Sequence, residues 1–157
     1  MKKGFTRIFI AVTICLIIGF LSSMATQTSI DTWYVTLNKP LFNPPNWIFA
    51  PVWTFLYVLM GVAAGIVWNQ GFYHKWVKTA LYHFGFQLLL NAAWSILFFG
   101  LRDPFIAFLD IVALIVLLLF TIRWFYIVNK TAAYLLIPYL VWVIFAAVLN
   151  FCIWQLN

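Results

Sequence analysis

The sequence predicts an all-α integral membrane protein, a five-transmembrane-helix bundle with a long loop between helices 1 and 2. Three observations carry that prediction. Of the 157 residues, 66% are hydrophobic and 8% charged, and the mean hydropathy is +1.04; soluble domains average about 45–50% apolar and about 25% charged. Five runs are long and apolar enough to meet the ~20 residues that a membrane helix needs. None of these runs alternates with a two-residue period, so β-barrel strands are excluded. The same composition excludes a soluble globule, a disordered chain, a fibrous repeat and a disulfide-stapled secreted fold.

The chain reads as one membrane domain, 1–157, with helices at about 6–26, 47–68, 79–100, 104–127 and 132–155. Ile8 to Ile30 carries no charge. Lys2, Lys3 and Arg7 precede it and Ser23-Met24-Ala25 resembles a signal-peptidase site, but the run outlasts the usual signal-peptide core, so a retained helix is expected. In the second apolar stretch Pro40, Pro44 and Pro45 bar regular helix before Trp47. Pro51 falls near the start of the second helix, where a missing N–H is tolerated. Gly61 and Gly65 form a small-xxx-small pair permitting close helix approach, expected inside the monomer. Asp110 is the single charge in the fourth run, and Pro138 near the start of the fifth is expected to kink it.

The charge of +6 comes from nine Lys/Arg against three acids. With alternating crossings, Lys2, Lys3, Arg7, Lys75, Lys78, Arg123 and Lys130 fall on one side, and Lys39 and Arg102 on the other. Positive residues mark the cytoplasmic side, so the expectation is a multi-pass cell-membrane protein with N-terminus cytoplasmic and C-terminus outside. The basic residues are therefore topology determinants, and no nucleic-acid partner is expected. Cys15 and Cys152 stand alone in apolar runs and read as buried hydrophobes.

Tryptophan is the unusual residue, with nine copies. Trp68, Trp76 and Trp124 lie at run ends beside basic residues and read as interface anchors. Trp53, Trp94 and Trp142 lie deeper, where each indole N–H needs a partner. By helical rise, Trp53 and Trp142 come within ~5 Å of the same depth, close enough to border one cavity. The first loop holds Trp33, Tyr34, Phe42 and Trp47, too apolar to float in water, and is expected to fold over the bundle mouth as a lid. Tyr57 follows Trp53 by four residues on one face, as Trp142, Ala146 and Asn150 share a face of the fifth helix.

On the third helix His83, Gln87, Asn91 and Ser95 recur every four residues. Lipid penalises such a stripe, so it is expected to face the interior. Gln87, Asn91, Asp110 and Asn150 are the expected polar core, with Asp110 hydrogen-bonded within the bundle. His83 reads as a structural donor rather than a haem ligand. No phosphate loop, HExxH or paired carboxylates occur, and no metal site or resident cofactor is expected. What remains is an aromatic cavity with a lid, suited to a flat hydrophobic ligand.

At these residues the chain resembles the translocator protein family, the tryptophan-rich sensory proteins also called peripheral benzodiazepine receptors. The matching pieces are Trp33-Tyr34, Leu37-x-Lys39-Pro40, Pro44-Pro45-x-Trp47, Pro51-Val52-Trp53, Leu56-Tyr57, Gln87-Leu-x-Leu-Asn91-x-x-Trp94, Phe98-Phe99-Gly100-x-Arg102, Asp110, Pro138-Tyr139-Leu140-x-Trp142 and Leu149-Asn150. The resemblance implies a five-helix membrane receptor or carrier, commonly a homodimer, for porphyrin, haem and related hydrophobic ligands. It implies ligand contacts at Tyr34, Trp53, Tyr57, Trp94, Trp142 and Ala146, with Trp33 in the lid and Ser23 on the first helix completing the ligand-binding set. It also implies a photochemical role for Trp53 and Trp142, the indoles linked to porphyrin photodegradation. A light- or oxygen-dependent porphyrin-degrading enzyme is thus the first alternative, and a structural membrane partner with a lipid-filled pocket the second. The animal members' sterol motif is not intact here, since Phe151 replaces its Tyr and no basic residue follows. A bacterial plasma membrane fits the absence of an Arg-rich presequence.

Overall fold

The computed structural model describes residues 2–157. The helices are α1 (Lys2–Gln27), α2 (Asn46–Asn69), α3 (Lys75–Ser95, continued by a π-helical turn over Ile96–Gly100), α4 (Pro104–Val128), α5 (Lys130–Leu135) and α6 (Ile137–Leu156). They make five spans long and apolar enough to cross a membrane, α5 and α6 together forming the fifth. No strand occurs among the described residues.

Two helices start earlier than hydropathy predicts, α1 at Lys2 and α3 at Lys75. Hydropathy marks the apolar depth, but the backbone ladder runs on where lysine stems lie along the helix and their heads reach water. Thr6 and Thr79 hydroxyls bond back to the Lys2 and Lys75 carbonyls at 2.8 and 2.9 Å, within those added turns. The fifth span is not merely bent. It breaks at Leu136, whose N–H turns to the Ala133 carbonyl at 3.1 Å; the four-residue ladder resumes with Leu140 N–H to Leu136 at 3.0 Å. Pro138, lacking an N–H and crowding the preceding turn, accounts for the break.

The spans close into a ring in which α1 touches α2, α2 touches α5 and α6, α6 touches α4, α4 touches α3, and α3 returns to α1. The tightest seam is α1 on α2. A Cβ on Gly65 would stand 2.5 Å from the Ile8 Cα, and one on Gly61 still closer to Val12. Only glycine allows this backbone approach.

The connection from α1 to α2 lies across the bundle end. Ser29 Oγ donates to the Phe99 carbonyl at 2.6 Å, and a 3-10 turn over Tyr34–Thr36 follows. Tyr34 is 3% exposed, its ring 5.5 Å from Phe99 and 6.2 Å from Phe98. The Tyr34 hydroxyl donates to Asn43 Oδ1 at 3.0 Å, folding the proline-rich half back over the first. Asn157 ties the far end: its Nδ2 donates to the Asn38 carbonyl at 2.9 Å, and Asn38 N–H donates to Asn157 Oδ1 at 3.1 Å. The buried Tyr34 and these cross-links make the loop a cover.

Candidate functional site

Beneath the cover lies a cavity of about 510 Å3, within the ~300–1,000 Å3 range of ligand sites. Its walls come from every span except the fourth. α1 supplies Gly19, Ser22 and Ser23, the loop Tyr34, α2 Phe49, Trp53 and Tyr57, α3 Trp94, the π-turn Phe98, and α6 Trp142, Ala146 and Asn150. Phe20 of α1 and Ala50 and Thr54 of α2 also line it while exposed on the outer surface, Phe20 at 65%. The wall between α1 and α2 is therefore open sideways.

Tyr57 of the cavity wall is held by a buried network that joins three helices. Tyr57 O–H donates to Asn91 Oδ1 at 2.8 Å, Asn91 Nδ2 donates to Tyr139 Oη at 2.6 Å, and Tyr139 O–H donates to Gln87 Oε1 at 2.8 Å. All four residues are buried, so the chain of bonds satisfies groups that would otherwise each cost about 1–3 kcal/mol. Gly19 makes room for this arrangement, since a Cβ there would stand 2.5 Å from the Tyr57 ring. Trp53 leans on Tyr57 at 5.7 Å and meets Tyr139 edge-on at 6.4 Å.

Higher up, Trp94 Nε1 donates to Asn150 Oδ1 at 2.9 Å, and Asn150 Nδ2 donates to the Pro104 carbonyl at 2.7 Å. The π-turn after Ser95 then carries Phe98 under Tyr34, stacked on Trp94 at 5.3 Å. Trp142 packs between Phe49 at 6.2 Å and Phe145 at 5.4 Å. Its Nε1 is buried without a hydrogen-bond partner among the described residues. In the cover, burial pushes the Tyr34 phenol up, against the opposing pull of its Asn43 hydrogen bond. Lys39 Nζ lies 4.7 Å over the Tyr34 ring, a cation–π contact that closes the cover from above.

Of the residues expected to meet ligand, Ser23, Tyr34, Trp53, Tyr57, Trp94, Trp142 and Ala146 lie on the cavity wall, and Trp33 does not. The Trp33 ring sits edge-on to Phe98 at 5.7 Å, because the 3-10 turn points adjacent residues in different directions and Tyr34 takes the inward one. Ser23 Oγ is already bonded to the Phe20 carbonyl at 2.7 Å. Phe49 and Phe98 are wall residues that sequence reasoning did not select. No regular period marks the latter, because the helix changes from α to π between Trp94 and Phe98.

His83 Nδ1 lies 2.8 Å from the Thr79 carbonyl, a local bond within α3, and its ring 6.1 Å from Trp124. The polar core differs from expectation at Asp110. Asp110 makes no hydrogen bond among the described residues, and its Oδ2 is buried without a partner. Ala107, Ile111, Leu114 and Leu118 form the buried seam of α4, and Asp110, three residues after Ala107 and four before Leu114, lies half-buried at the edge of that seam. An unpaired carboxyl contributes a desolvation cost and no bond. Asp110→Leu is therefore expected to keep or raise Tm in a thermal melt. A fall of ~2–4 °C, the equivalent of about 1 kcal/mol, would show that the carboxyl has a supporting partner.

These features define a polytopic helical membrane protein with a covered aromatic cavity fit for a ligand. Residues 11–155 match the TspO/MBR family, and the chain belongs to that family. It is 47% identical over 143 residues to the tryptophan-rich protein TspO of Archaeoglobus fulgidus, covering 90% of this chain and 91% of that one. It is 41% identical over 157 residues to the tryptophan-rich protein TspO of Chlorobaculum tepidum, covering 100% and 99%. The translocator protein of Homo sapiens is 40% identical over 127 residues, covering 80% and 75%.

Proposed function

We propose that this protein is a membrane receptor or carrier for tetrapyrroles, such as porphyrin and haem, and for related flat hydrophobic molecules. The observation that carries this reading is the covered cavity whose walls are aromatic and on which Trp142 Nε1 is buried without a partner among the described residues. Trp53, Trp94 and Trp142 offer ring faces to a planar macrocycle, and the indole N–H offers a hydrogen bond to an acceptor on it. The protein acts in the cell membrane with its N-terminus cytoplasmic, a reading supported by the Lys/Arg asymmetry, and as a homodimer, supported by the family resemblance.

A second reading, light-dependent porphyrin breakdown in the same cavity, is favoured by two indoles, Trp53 and Trp142, on its wall. The test of the main reading is titration of protoporphyrin and haem into the purified protein, followed by Trp quenching and Soret absorbance. Saturable binding by the wild type is expected. Tyr34→Ala removes the apolar cover, a loss of ~1.5 kcal/mol, and should weaken binding about tenfold. Wild-type protein that binds neither compound, while retaining lipid, would favour a structural partner role instead.

A further inference from the structure

The cavity differs in chemistry along its length. Its walls are largely aromatic, and no Lys, Arg, Asp or Glu lines it among the described residues. Neutral polar side chains gather at the loop-side end, Thr26 and Gln27 from the last turn of α1 and Asn46 from the first turn of α2. Wall hydroxyls deeper down are already engaged. Those of Ser22 and Ser23 bond back to the Gly19 and Phe20 carbonyls at 3.0 and 2.7 Å, and that of Tyr57 is held by Asn91. A molecule with one polar edge therefore fits with that edge toward the cover.

Tetrapyrroles such as protoporphyrin and haem carry such an edge, a pair of carboxylates on an otherwise apolar ring. An ionised carboxylate in an apolar site needs a counter-charge, and the walls offer none. The cover does. Lys39 Nζ lies 4.7 Å over the ring of Tyr34, itself a wall residue. Its hydrogen bond goes to the Leu37 carbonyl at 3.3 Å, within the same loop, rather than to a carboxylate. The side chain is half-buried, so its charge is screened less than that of a cation in open water. Its four-carbon stem lets the ammonium swing from the Tyr34 ring to an anion at the rim. The other loop-side cation is placed differently. Arg102 is exposed, its Nε donates to Ser29 Oγ at 3.3 Å, and the residue that follows it is the acid Asp103.

Resting on the tetrapyrrole reading above, we infer that Lys39 recognises the carboxylate edge of the ligand, so that the site selects dicarboxylate tetrapyrroles over neutral ones. The same ammonium then has two partners in turn, the Tyr34 ring when the cavity is empty and a carboxylate when it is filled.

Protoporphyrin and its dimethyl ester, titrated into the purified full-length protein in one detergent, test the assignment. The ester keeps the ring and loses the charge. The two compounds partition differently into the micelle, but identically for every variant, so the quotient of their dissociation constants isolates what each protein reads. Lys39→Met keeps the stem on Tyr34 and removes the cation. Any loosening of the cover weakens both compounds and cancels, whereas the quotient should shift about tenfold toward the ester, the size of one charge-assisted hydrogen bond. Lys39→Arg should keep the wild-type quotient, and so should Arg102→Gln. Lys39→Gln serves if the Met variant fails to fold. An unchanged quotient without the Lys39 charge overturns the inference and leaves the tetrapyrrole reading standing. An equal shift in Arg102→Gln also overturns it, because the site would then respond to overall charge at that end. Wild-type protein that binds neither compound overturns the tetrapyrrole reading itself.

Discussion

Replacing both Trp53 and Trp142 by Phe is expected to suppress light-dependent porphyrin loss almost completely while weakening porphyrin binding only several-fold. The asymmetry follows from what each substitution removes. Phenylalanine keeps a ring on the cavity wall, so most of the apolar contact survives, and the stacking difference is worth about 0.5–1.5 kcal/mol for each aromatic pair. The indole, by contrast, is electron-rich and, in contact with a photoexcited macrocycle, is itself a reactant. Trp142 carries the unmet N–H and Trp53 rests on Tyr57 and Tyr139, so the single variants are expected to differ in binding, with Trp142→Phe losing more. Illuminated and dark absorbance time courses on the wild type and the double variant measure the effect. Equal bleaching by both would show that the indoles are walls only.

The second large effect is expected at the α1–α2 seam. Gly61→Val places carbon atoms into the backbone of Val12, where neither helix can yield without separating from the other. Overpacking usually costs about 1–3 kcal/mol; against a backbone rather than a flexible side chain, ~3 kcal/mol is the expected order, or about 6–12 °C in Tm. Ligand binding should fall with it, since Gly19 and Tyr57 of the same helix pair shape the cavity. Gly85→Ala is the contrast, because open space surrounds that position and alanine is the better helix former by ~1 kcal/mol. A Gly61→Val melt that drops no further than that of Gly85→Ala, with both near the wild type, would place the α1–α2 seam among the tolerant contacts.

Much of this architecture is readable in the residues because the membrane leaves a chain few options. Apolar length sets the five spans, prolines set where α2 begins and where the fifth span breaks, and apolar loop residues in place of polar ones set the cover. Four-residue spacing placed Trp53 with Tyr57 and Gln87 with Asn91, and both pairs lie together in the structure. Three features were not readable. The inward turn of Tyr34 rather than Trp33 depends on a 3-10 turn of three residues, too short to leave a periodicity. The carriage of Phe98 into the cavity depends on the π-turn at Ile96–Gly100, where the helical period changes. Asp110 was grouped with the polar core by its chemistry, whereas its carboxyl makes no hydrogen bond among the described residues, and a helix face read from sequence does not show which neighbour comes within bonding reach.

The sideways gap between Phe20 and Thr54 changes what an affinity for this protein would mean. A ligand entering there comes from the hydrocarbon and never crosses the aqueous mouth that Tyr34 and Asn157 keep shut. Its driving concentration is then its mole fraction in the bilayer, set by how strongly it partitions into lipid. Half-saturation expressed as total ligand in the tube will rise in proportion to the lipid or detergent added, while half-saturation expressed per lipid molecule stays constant. Two compounds with identical contacts inside the cavity will therefore rank by their solubility in the membrane.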